Sequence, residues 1–233
     1  MAETIDLMID DITTTAFVKL PAGAGPFPGV VVTYHRGGMD DFTEWLVDDL
    51  AAKGYGAIAP NHYYALPEGS DVEDRKLHLT DEQMARDLEV SAAWLADQDQ
   101  VDGARLGLLG HCMGGRTTWV GLVSLPGRWK CGCVWYGGGA FNAMGKVAAP
   151  AERLGAIDCP VAGYFGNEDG NPSPDDVNKF DDMLTQLGKP HEFHRYDGAG
   201  HGFQDDTNPE RFRAEQSADA WKKIFAFLKT TMG

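Results

Sequence analysis

The sequence predicts an α/β fold with a mostly parallel central sheet and helices on both faces. Short apolar runs alternate with stretches of helical periodicity along most of the chain. Polar and glycine clusters follow the apolar runs, at the strand ends where ligands bind in open α/β sheets. The 233 residues, 43% of them hydrophobic, suffice for a full core, and we expect residues 1–233 to form one domain.

Seven runs of apolar or β-branched residues predict the strands. They lie at residues 12–20, 30–34, 55–59, 106–109, 131–136, 161–165 and 191–196. The first run is expected to form an edge strand. The stretch 21–29, rich in Pro and Gly, is expected to form a turn.

Five stretches with apolar residues at helical spacing predict the helices. They lie at residues 41–53, 80–97, 113–123, 174–187 and 210–230. Asp40 or Asp41 suits the N-cap of the first helix. Thr80 to Gln83 has the pattern of a capping box at the start of the second. Residues 61–79 are expected to be irregular, and residues 140–158 to combine loop with a short helix.

The charge balance excludes several classes of partner. The chain has 35 acidic and 20 basic residues, a net charge of −15, which repels nucleic acid and anionic membrane surfaces. No apolar run approaches the roughly 18 residues of a membrane helix. Residues 1–11 are acidic and lack a long apolar core, so we expect no secretory signal and a cytoplasmic protein. The sequence leaves the oligomeric state open, and a monomer is the default expectation.

Cofactors and metals are not expected. The sequence contains no P-loop, G-x-G-x-x-G or H-E-x-x-H pattern. Cys131 and Cys133 share one strand face but lack further ligands at zinc spacing, and His191 and His194 point to opposite faces of their strand. Four cysteines in a chain of this length do not suggest a disulfide framework.

The strongest chemical signal is the sequence Gly110-His111-Cys112-Met113-Gly114. This G-x-C-x-G pattern follows an apolar strand and opens a helix, which is the context of a nucleophile elbow. The first glycine is expected to allow a sharp turn, and the second a close approach of strand and helix. A thiol at the helix N-terminus has a lowered pKa. The alternative is a buried cysteine without a catalytic role.

Two later motifs supply partners for this cysteine. Asp169 follows a predicted strand within Gly166-Asn167-Glu168-Asp169-Gly170, and His201 lies in a glycine-lined loop before the last helix. The chain order nucleophile, acid, histidine is that of a hydrolase triad, in which the histidine activates the nucleophile and the acid orients the histidine. Glu168 and Asp175 are the competing acids. His111 is expected to pack beside the elbow.

Together these motifs resemble the dienelactone hydrolase family of α/β-hydrolases. The resemblance is carried by three stretches, Leu109–Gly115, Gly166–Asp169 and Tyr196–Phe203, with Gly54–Pro60 similar to the third-strand region of the family. It covers nearly the whole chain. It implies the α/β-hydrolase fold and hydrolysis of a small-molecule ester or lactone through an acyl-enzyme.

The resemblance also implies a role for each site residue. Cys112 would be the nucleophile, His201 the base and then the acid, and Asp169 the orienting carboxylate. The backbone N–H groups of Met113 and Arg36 would form the oxyanion hole.

Two positions depart from the family pattern. His35 stands where dienelactone hydrolases have a glutamate linked to a neutral resting thiol, so we expect a resting Cys112–His201 ion pair instead. Asp205 stands where the family has an arginine that binds the substrate carboxylate. A neutral or differently charged ester is therefore expected, with some positive charge available from Arg36 and Arg75.

Five residues near predicted strand ends are candidates for the pocket wall, with core packing as the alternative for each. They are His35, Tyr63, Tyr64, Trp135 and Tyr136. Two other functions stay open at this point. The thiolate could hydrolyse other electrophiles such as thioesters or phosphate triesters, or the protein could bind a small molecule without catalysis.

Overall fold

The computed structural model describes residues 1–66, 70–71 and 78–233. Eight strands in these ranges form one sheet: β1 Glu3–Ile9, β2 Ile12–Lys19, β3 Phe27–Thr33, β4 Gly56–Pro60, β5 Val101–His111, β6 Cys131–Trp135, β7 Val161–Gly166 and β8 His191–Tyr196. The spatial order is β1-β2-β4-β3-β5-β6-β7-β8. Only the pairs β1–β2 and β2–β4 are antiparallel. The mostly parallel sheet confirms the predicted fold class.

Helices cover both faces of this sheet. They are α1 Asp41–Ala52, α2 Asp81–Ala96, α3 Met113–Ser124, α4 Pro174–Gln186 and α5 Ala214–Met232, with a short 3₁₀ helix at Pro150–Ala156. Side chains of a strand alternate between the two faces, so Val31 joins the core under α2, α3 and α4. Its neighbours Val30 and Val32 join the core under α1 and α5.

The first strand was not predicted, and the prediction that residues 12–20 form the edge is therefore wrong. β2 lies between β1 and β4, and β1 forms the edge. Along β1 Leu7 and Ile9 are buried, Ile5 is partly buried, and the other positions are exposed. This alternation is the period-2 pattern of a strand with one solvated face, so the sequence did contain the signal that could have identified β1.

Two predicted boundaries and one predicted capping box differ from the structure for local reasons. β3 begins at Phe27, inside the predicted turn 21–29. α5 begins four residues later than predicted, because Arg213 is still extended and its N–H donates to the carbonyl of Phe203 at 3.0 Å. At the start of α2, Thr80 caps Gln83 N–H at 3.1 Å, but the Gln83 side chain turns away to the carbonyl of His62. The capping box is therefore only half formed.

The end of β3 and the first turn of α3 are in direct backbone contact. A Cβ on Gly114 would lie 2.2 Å from the carbonyl carbon of Thr33 and 2.3 Å from the nitrogen of Tyr34. A Cβ on Gly110 would lie 2.0 Å from Thr33 Oγ1. Both glycines thus leave space for the close approach of the two backbones. The sharp turn that was expected at Gly110 is made by Cys112, whose φ is positive. This approach brings the loops after β3 and β5 together at the carboxyl edge of the sheet.

We expect Gly114→Ala to lower the free energy of unfolding by at least about 1–3 kcal/mol, because the new methyl group meets backbone that cannot swing aside. Gly155→Ala is the matched control, since a Cβ there meets no atom within 4 Å. The control should change stability by no more than about 0.5 kcal/mol. Chemical denaturation measures both, and equal midpoints for the two variants would contradict the packing argument.

Candidate active site

Cys112 occupies the junction between β5 and α3 in a backbone conformation that few residues other than glycine adopt. Its φ is 60° and its ψ is −120°. The surrounding structure maintains this conformation from both sides. Cys112 N–H donates to the carbonyl of Trp135 at 3.1 Å, and the Cys112 carbonyl accepts from Arg116 N–H at 3.2 Å. The thiol is therefore presented at the N-terminus of α3, as the elbow motif predicts.

A continuous chain of hydrogen bonds leads from this thiol into the protein. His201 Nε2 lies 3.0 Å from Cys112 Sγ, and His201 Nδ1 lies 2.8 Å from Asp169 Oδ2. The other oxygen of Asp169 accepts a hydrogen bond from Asn171 N–H at 2.8 Å. The structure thus brings together the three residues that the sequence predicted as a triad.

The carboxylate that hydrogen-bonds to His201 belongs to Asp169, which is only 5% exposed. It does not belong to the competing acids Glu168 and Asp175. Glu168 N–H donates to the carbonyl of Ala199 at 2.9 Å. This bond joins the loop that carries the acid to the loop that carries the histidine, so the two side chains keep a fixed separation.

The thiol and the imidazole shift each other's pKa in the direction of an ion pair. Burial raises the pKa of Cys112, but the hydrogen bond and positive charge of His201 outweigh burial and lower it. Burial lowers the pKa of His201, but hydrogen bonds to Asp169 and Cys112 raise it to about 9. Met113 N–H also lowers the pKa of Cys112 by hydrogen bonding to it. These opposite shifts favour a thiolate beside an imidazolium.

The other three cysteines are in the opposite situation. All four are free thiols, but Cys131, Cys133 and Cys159 are buried. Burial raises the pKa of Cys131 to about 11 and that of Cys159 to about 12, and it raises the pKa of Cys133 strongly. Of the four thiols, Cys112 is therefore the one whose pKa shift favours reaction.

A cavity of about 900 Å³ opens above the triad. Cys112, Asp169 and His201 all lie in its wall, and so do Arg36 and Met113, the two residues predicted to supply the oxyanion hole. A substrate carbonyl in this cavity would therefore approach the thiol beside the first turn of α3.

The five candidates for the pocket wall all lie outside the lining of this cavity, so that prediction is replaced by roles in packing. Trp135 is fully buried and meets Trp221 edge to face at 4.3 Å between ring centroids. Tyr136 is buried with a φ of 31°, and its ring lies 4.8 Å from that of His201. Tyr136 thus supports the ring of His201 from within the core.

The remaining candidates also serve neighbouring structure. Tyr63 packs against Tyr34 at 6.4 Å between ring centroids. The hydroxyl of Tyr64 donates to the buried carboxylate of Asp87 at 3.0 Å. His35 hydrogen-bonds to Asp40 at 2.7 Å, in the loop between β3 and α1. These side chains near strand ends contact neighbouring structure and do not line the cavity, which sequence spacing alone does not reveal.

His111 packs beside the elbow, as predicted. It is 3% exposed, and its ring lies 5.2 Å from that of Phe42 in an edge-to-face contact. Burial lowers the pKa of His111 to about 3, so this histidine is neutral. It therefore adds no charge next to the thiolate.

The sequence analysis missed a buried ion pair between α3, the helix that follows Cys112, and α2. Arg116, one helical turn after Cys112, pairs with Asp81 at 2.5 and 3.2 Å, and both residues are buried. The same guanidinium donates to the carbonyls of Gly139 and Asn142, which lie in a loop that lines the cavity. A charged residue among the small and apolar residues of α3 was the signal that could have identified it.

The charge of the cavity differs from the sequence expectation. Asp205 lies outside the lining, and its carboxylate accepts from the backbone and hydroxyl of Thr207 at 3.0 and 2.5 Å. Arg211 and Arg213 do line the cavity, together with acidic residues. Arg75 lies outside the described residues. Asp205 therefore gives no reason to exclude a substrate that carries a carboxylate.

Among the described residues, no group of three or more His, Cys, Asp or Glu side chains is placed to hold a metal ion. In the same ranges, no helix combines the length and the apolar character that crossing a bilayer requires.

Comparison with known proteins identifies the family of the chain. A model of the dienelactone hydrolase family matches residues 14–232. The chain belongs to the dienelactone hydrolase family. It is accordingly a hydrolase of ester or lactone bonds with the α/β-hydrolase fold.

Individual members and neighbours span nearly the full chain. A Methylorubrum extorquens protein named "Putative carboxymethylenebutenolidase" is 30% identical over 96% of this chain and 79% of its own length. A crystal structure of a "Putative Dienelactone Hydrolase" from Klebsiella pneumoniae is 27% identical, with a TM-score of 0.88 and 98% of both chains covered. A metagenomic dienelactone hydrolase-like promiscuous phosphotriesterase shares the fold, with a TM-score of 0.85 at 18% identity over 100% and 99% of the two chains.

The ion pair predicts how Cys112 alkylation depends on pH. In the wild type we expect the iodoacetamide rate to reach half its plateau below about pH 8, the lower edge for an ordinary thiol. In His201→Ala the midpoint should rise above about pH 8.5, because burial, which raises the pKa, is then opposed only by the smaller effects of Met113 N–H and the charge of His35. Peptide mapping should find Cys131, Cys133 and Cys159 slow in both proteins. An unchanged midpoint in His201→Ala would contradict the ion pair.

Proposed function

We propose that this protein hydrolyses small-molecule esters or lactones through a Cys112 thiolate and a covalent acyl-enzyme. The observation that carries the proposal is the unbroken hydrogen-bond chain from Cys112 through His201 to Asp169, in the wall of a cavity that all three residues line. A lowered thiol pKa, a raised imidazole pKa and a buried carboxylate are what cysteine-based acyl transfer needs.

In the first step the thiolate attacks the substrate carbonyl carbon, and a carbon–sulfur bond forms while the π electrons move to oxygen. The N–H groups of Met113 and Arg36 stabilise that oxyanion. Its collapse breaks the carbon–oxygen bond, and His201 transfers its Nε2 proton to the leaving alkoxide. His201 is then neutral and hydrogen-bonded to Asp169.

In the second step His201 takes a proton from water, and the resulting hydroxide attacks the thioester. The second tetrahedral intermediate expels the Cys112 thiolate and releases the acid, which restores the ion pair. For a lactone the alcohol stays attached to the acyl group, so the product is a hydroxy acid.

The proposal extends to the setting of the reaction. The substrate is a small molecule, and all residues of the triad come from one chain, which is consistent with a monomer. Four free thiols, one of them reactive, suit a reducing cytoplasmic compartment.

The two other functions considered from the sequence have weaker support. A binding protein has no use for a strained backbone at Cys112 or for a thiol aligned with His201. Attack on other electrophiles would use the same thiolate, but no additional feature of the cavity favours it over carbonyl chemistry.

The direct test is hydrolysis of p-nitrophenyl acetate and butyrate by the wild type and Cys112→Ala. We expect turnover by the wild type and none above background by Cys112→Ala, because the nucleophile is absent. Cys131→Ala is the matched control, since that thiol is buried away from the cavity, and it should retain turnover. A panel of neutral and carboxylate-bearing lactones then defines the substrate. Equal activity of Cys112→Ala and wild type would reject the mechanism.

Asp169→Asn tests the orienting carboxylate. The amide would donate a hydrogen bond to His201 Nδ1 and so stabilise the wrong tautomer, which in a related triad costs on the order of 10⁴ in kcat. Asp175→Asn is the control, because this exposed acid makes no hydrogen bond to His201. We expect a large loss of kcat for the first variant and little change for the second. Comparable rates for both would assign the orienting role elsewhere.

A further inference from the structure

The loop between β3 and α1 has an internal arrangement that the proposed mechanism does not yet use. Arg36 lies in this loop and lines the cavity beside Cys112 and Met113. The loop starts where Gly114 touches Thr33 and Tyr34, so its position against the first turn of α3 is fixed at one end. Two side chains, those of His35 and Asp40, fix the rest.

His35 closes a tight turn around Arg36. Its Nδ1 accepts a hydrogen bond from Gly37 N–H at 2.8 Å, and its carbonyl accepts one from Gly38 N–H at 3.2 Å. The side-chain bond from residue i to the N–H of residue i+2 is the pattern of an Asx turn, made here by an imidazole. Arg36 is the residue enclosed by that bond.

The imidazole leaves room only for glycine at the third position of the turn. A Cβ on Gly37 would lie 2.3 Å from His35 Cε1 and 2.5 Å from His35 Nδ1. The ring of His35 also lies 5.7 Å from that of His111, which packs beside the elbow. The turn is therefore packed against the segment that carries the nucleophile.

Asp40 determines which nitrogen of His35 carries the proton. Because Nδ1 accepts from Gly37 N–H, the proton of a neutral His35 lies on Nε2, which is 2.7 Å from Asp40 Oδ2. The other oxygen of Asp40 caps α1, where it accepts from Thr43 N–H at 2.9 Å and from Thr43 Oγ1 at 2.7 Å. The Asp40 carboxylate thus both caps α1 and determines the tautomer of His35.

We propose that His35 and Asp40 are positioning residues that hold the Arg36 N–H group in the oxyanion hole. The inference rests on the proposed function, because it deepens the role given there to Arg36. His35 does not touch the reacting atoms. It acts through the turn, and Asp40 acts through the imidazole.

Two substitutions of Asp40 separate this role from helix capping. Asn and Ser both remove the charge, and both keep an oxygen that accepts from Thr43 N–H. Only Asn then presents an N–H group to His35 Nε2, which forces the imidazole proton onto Nδ1 and removes the acceptor for Gly37. We expect Asp40→Asn to lower kcat about 10- to 100-fold, approaching the loss of one oxyanion donor. Asp40→Ser should lower kcat by a smaller factor, because an imidazole without a partner at Nε2 still populates the tautomer that accepts from Gly37 N–H.

Two substitutions of His35 provide the rescue. His35→Ala removes the acceptor for Gly37 N–H and should lower kcat about as much as Asp40→Asn, with a smaller change in KM, since the lost interaction forms in the transition state. His35→Asn can close the same turn with its side-chain oxygen. It should recover most of the lost kcat, which a purely structural role for the imidazole ring would not explain.

The readouts are kcat and KM for p-nitrophenyl butyrate, thermal melting, and the plateau rate of Cys112 alkylation by iodoacetamide. Alkylation displaces iodide and creates no oxyanion, so its plateau rate should be unchanged in all four variants. Equal kcat for Asp40→Asn and Asp40→Ser, or no recovery in His35→Asn, would overturn the inference. If Cys112→Ala keeps the turnover of the wild type, the proposed function itself fails. That result is distinct from either outcome above.

Discussion

The contact between Gly114 and the end of β3 is the constraint on which the site depends. With no side chain at Gly114, the first turn of α3 rests on the backbone of Thr33 and Tyr34. Thr33 Oγ1 and Thr118 Oγ1 both hydrogen-bond to the Gly114 carbonyl, at 2.7 and 3.0 Å, which fixes the approach. The nucleophile and the loop after β3 then become neighbours, although about 80 residues separate them in the chain.

Local contacts, and not the net charge of −15, decide the ionisation of the site. Two histidines near the thiol show this. His111 is buried among aromatic rings, and burial lowers its pKa to about 3. His201 is only partly buried, and hydrogen bonds to Asp169 and Cys112 raise its pKa to about 9. The difference follows from the acceptors that each ring meets.

The sequence was sufficient for the fold class and for the positions of the triad, because both have local signatures. The G-x-C-x-G pattern between strand and helix placed Cys112, and glycines around His201 marked its loop. The pocket could not be predicted in this way. Its wall depends on how the loop at residues 137–145 is held by Arg116 and Asp81, two residues from separate helices. Strand β1, in contrast, could have been predicted, because Ile5, Leu7 and Ile9 alternate with exposed positions.

The placement of the triad along the sheet has a consequence for how the chain folds. Cys112 follows the central strand β5, whereas His201 follows β8, which ends the described sheet and pairs there with β7. The contact between them spans 89 residues of sequence. Contacts of such long range form late, after the entropy of closing the intervening loop has been lost. During refolding, catalytic competence should therefore appear only when the last parallel strand has joined the sheet, which makes enzyme activity a reporter of completed folding.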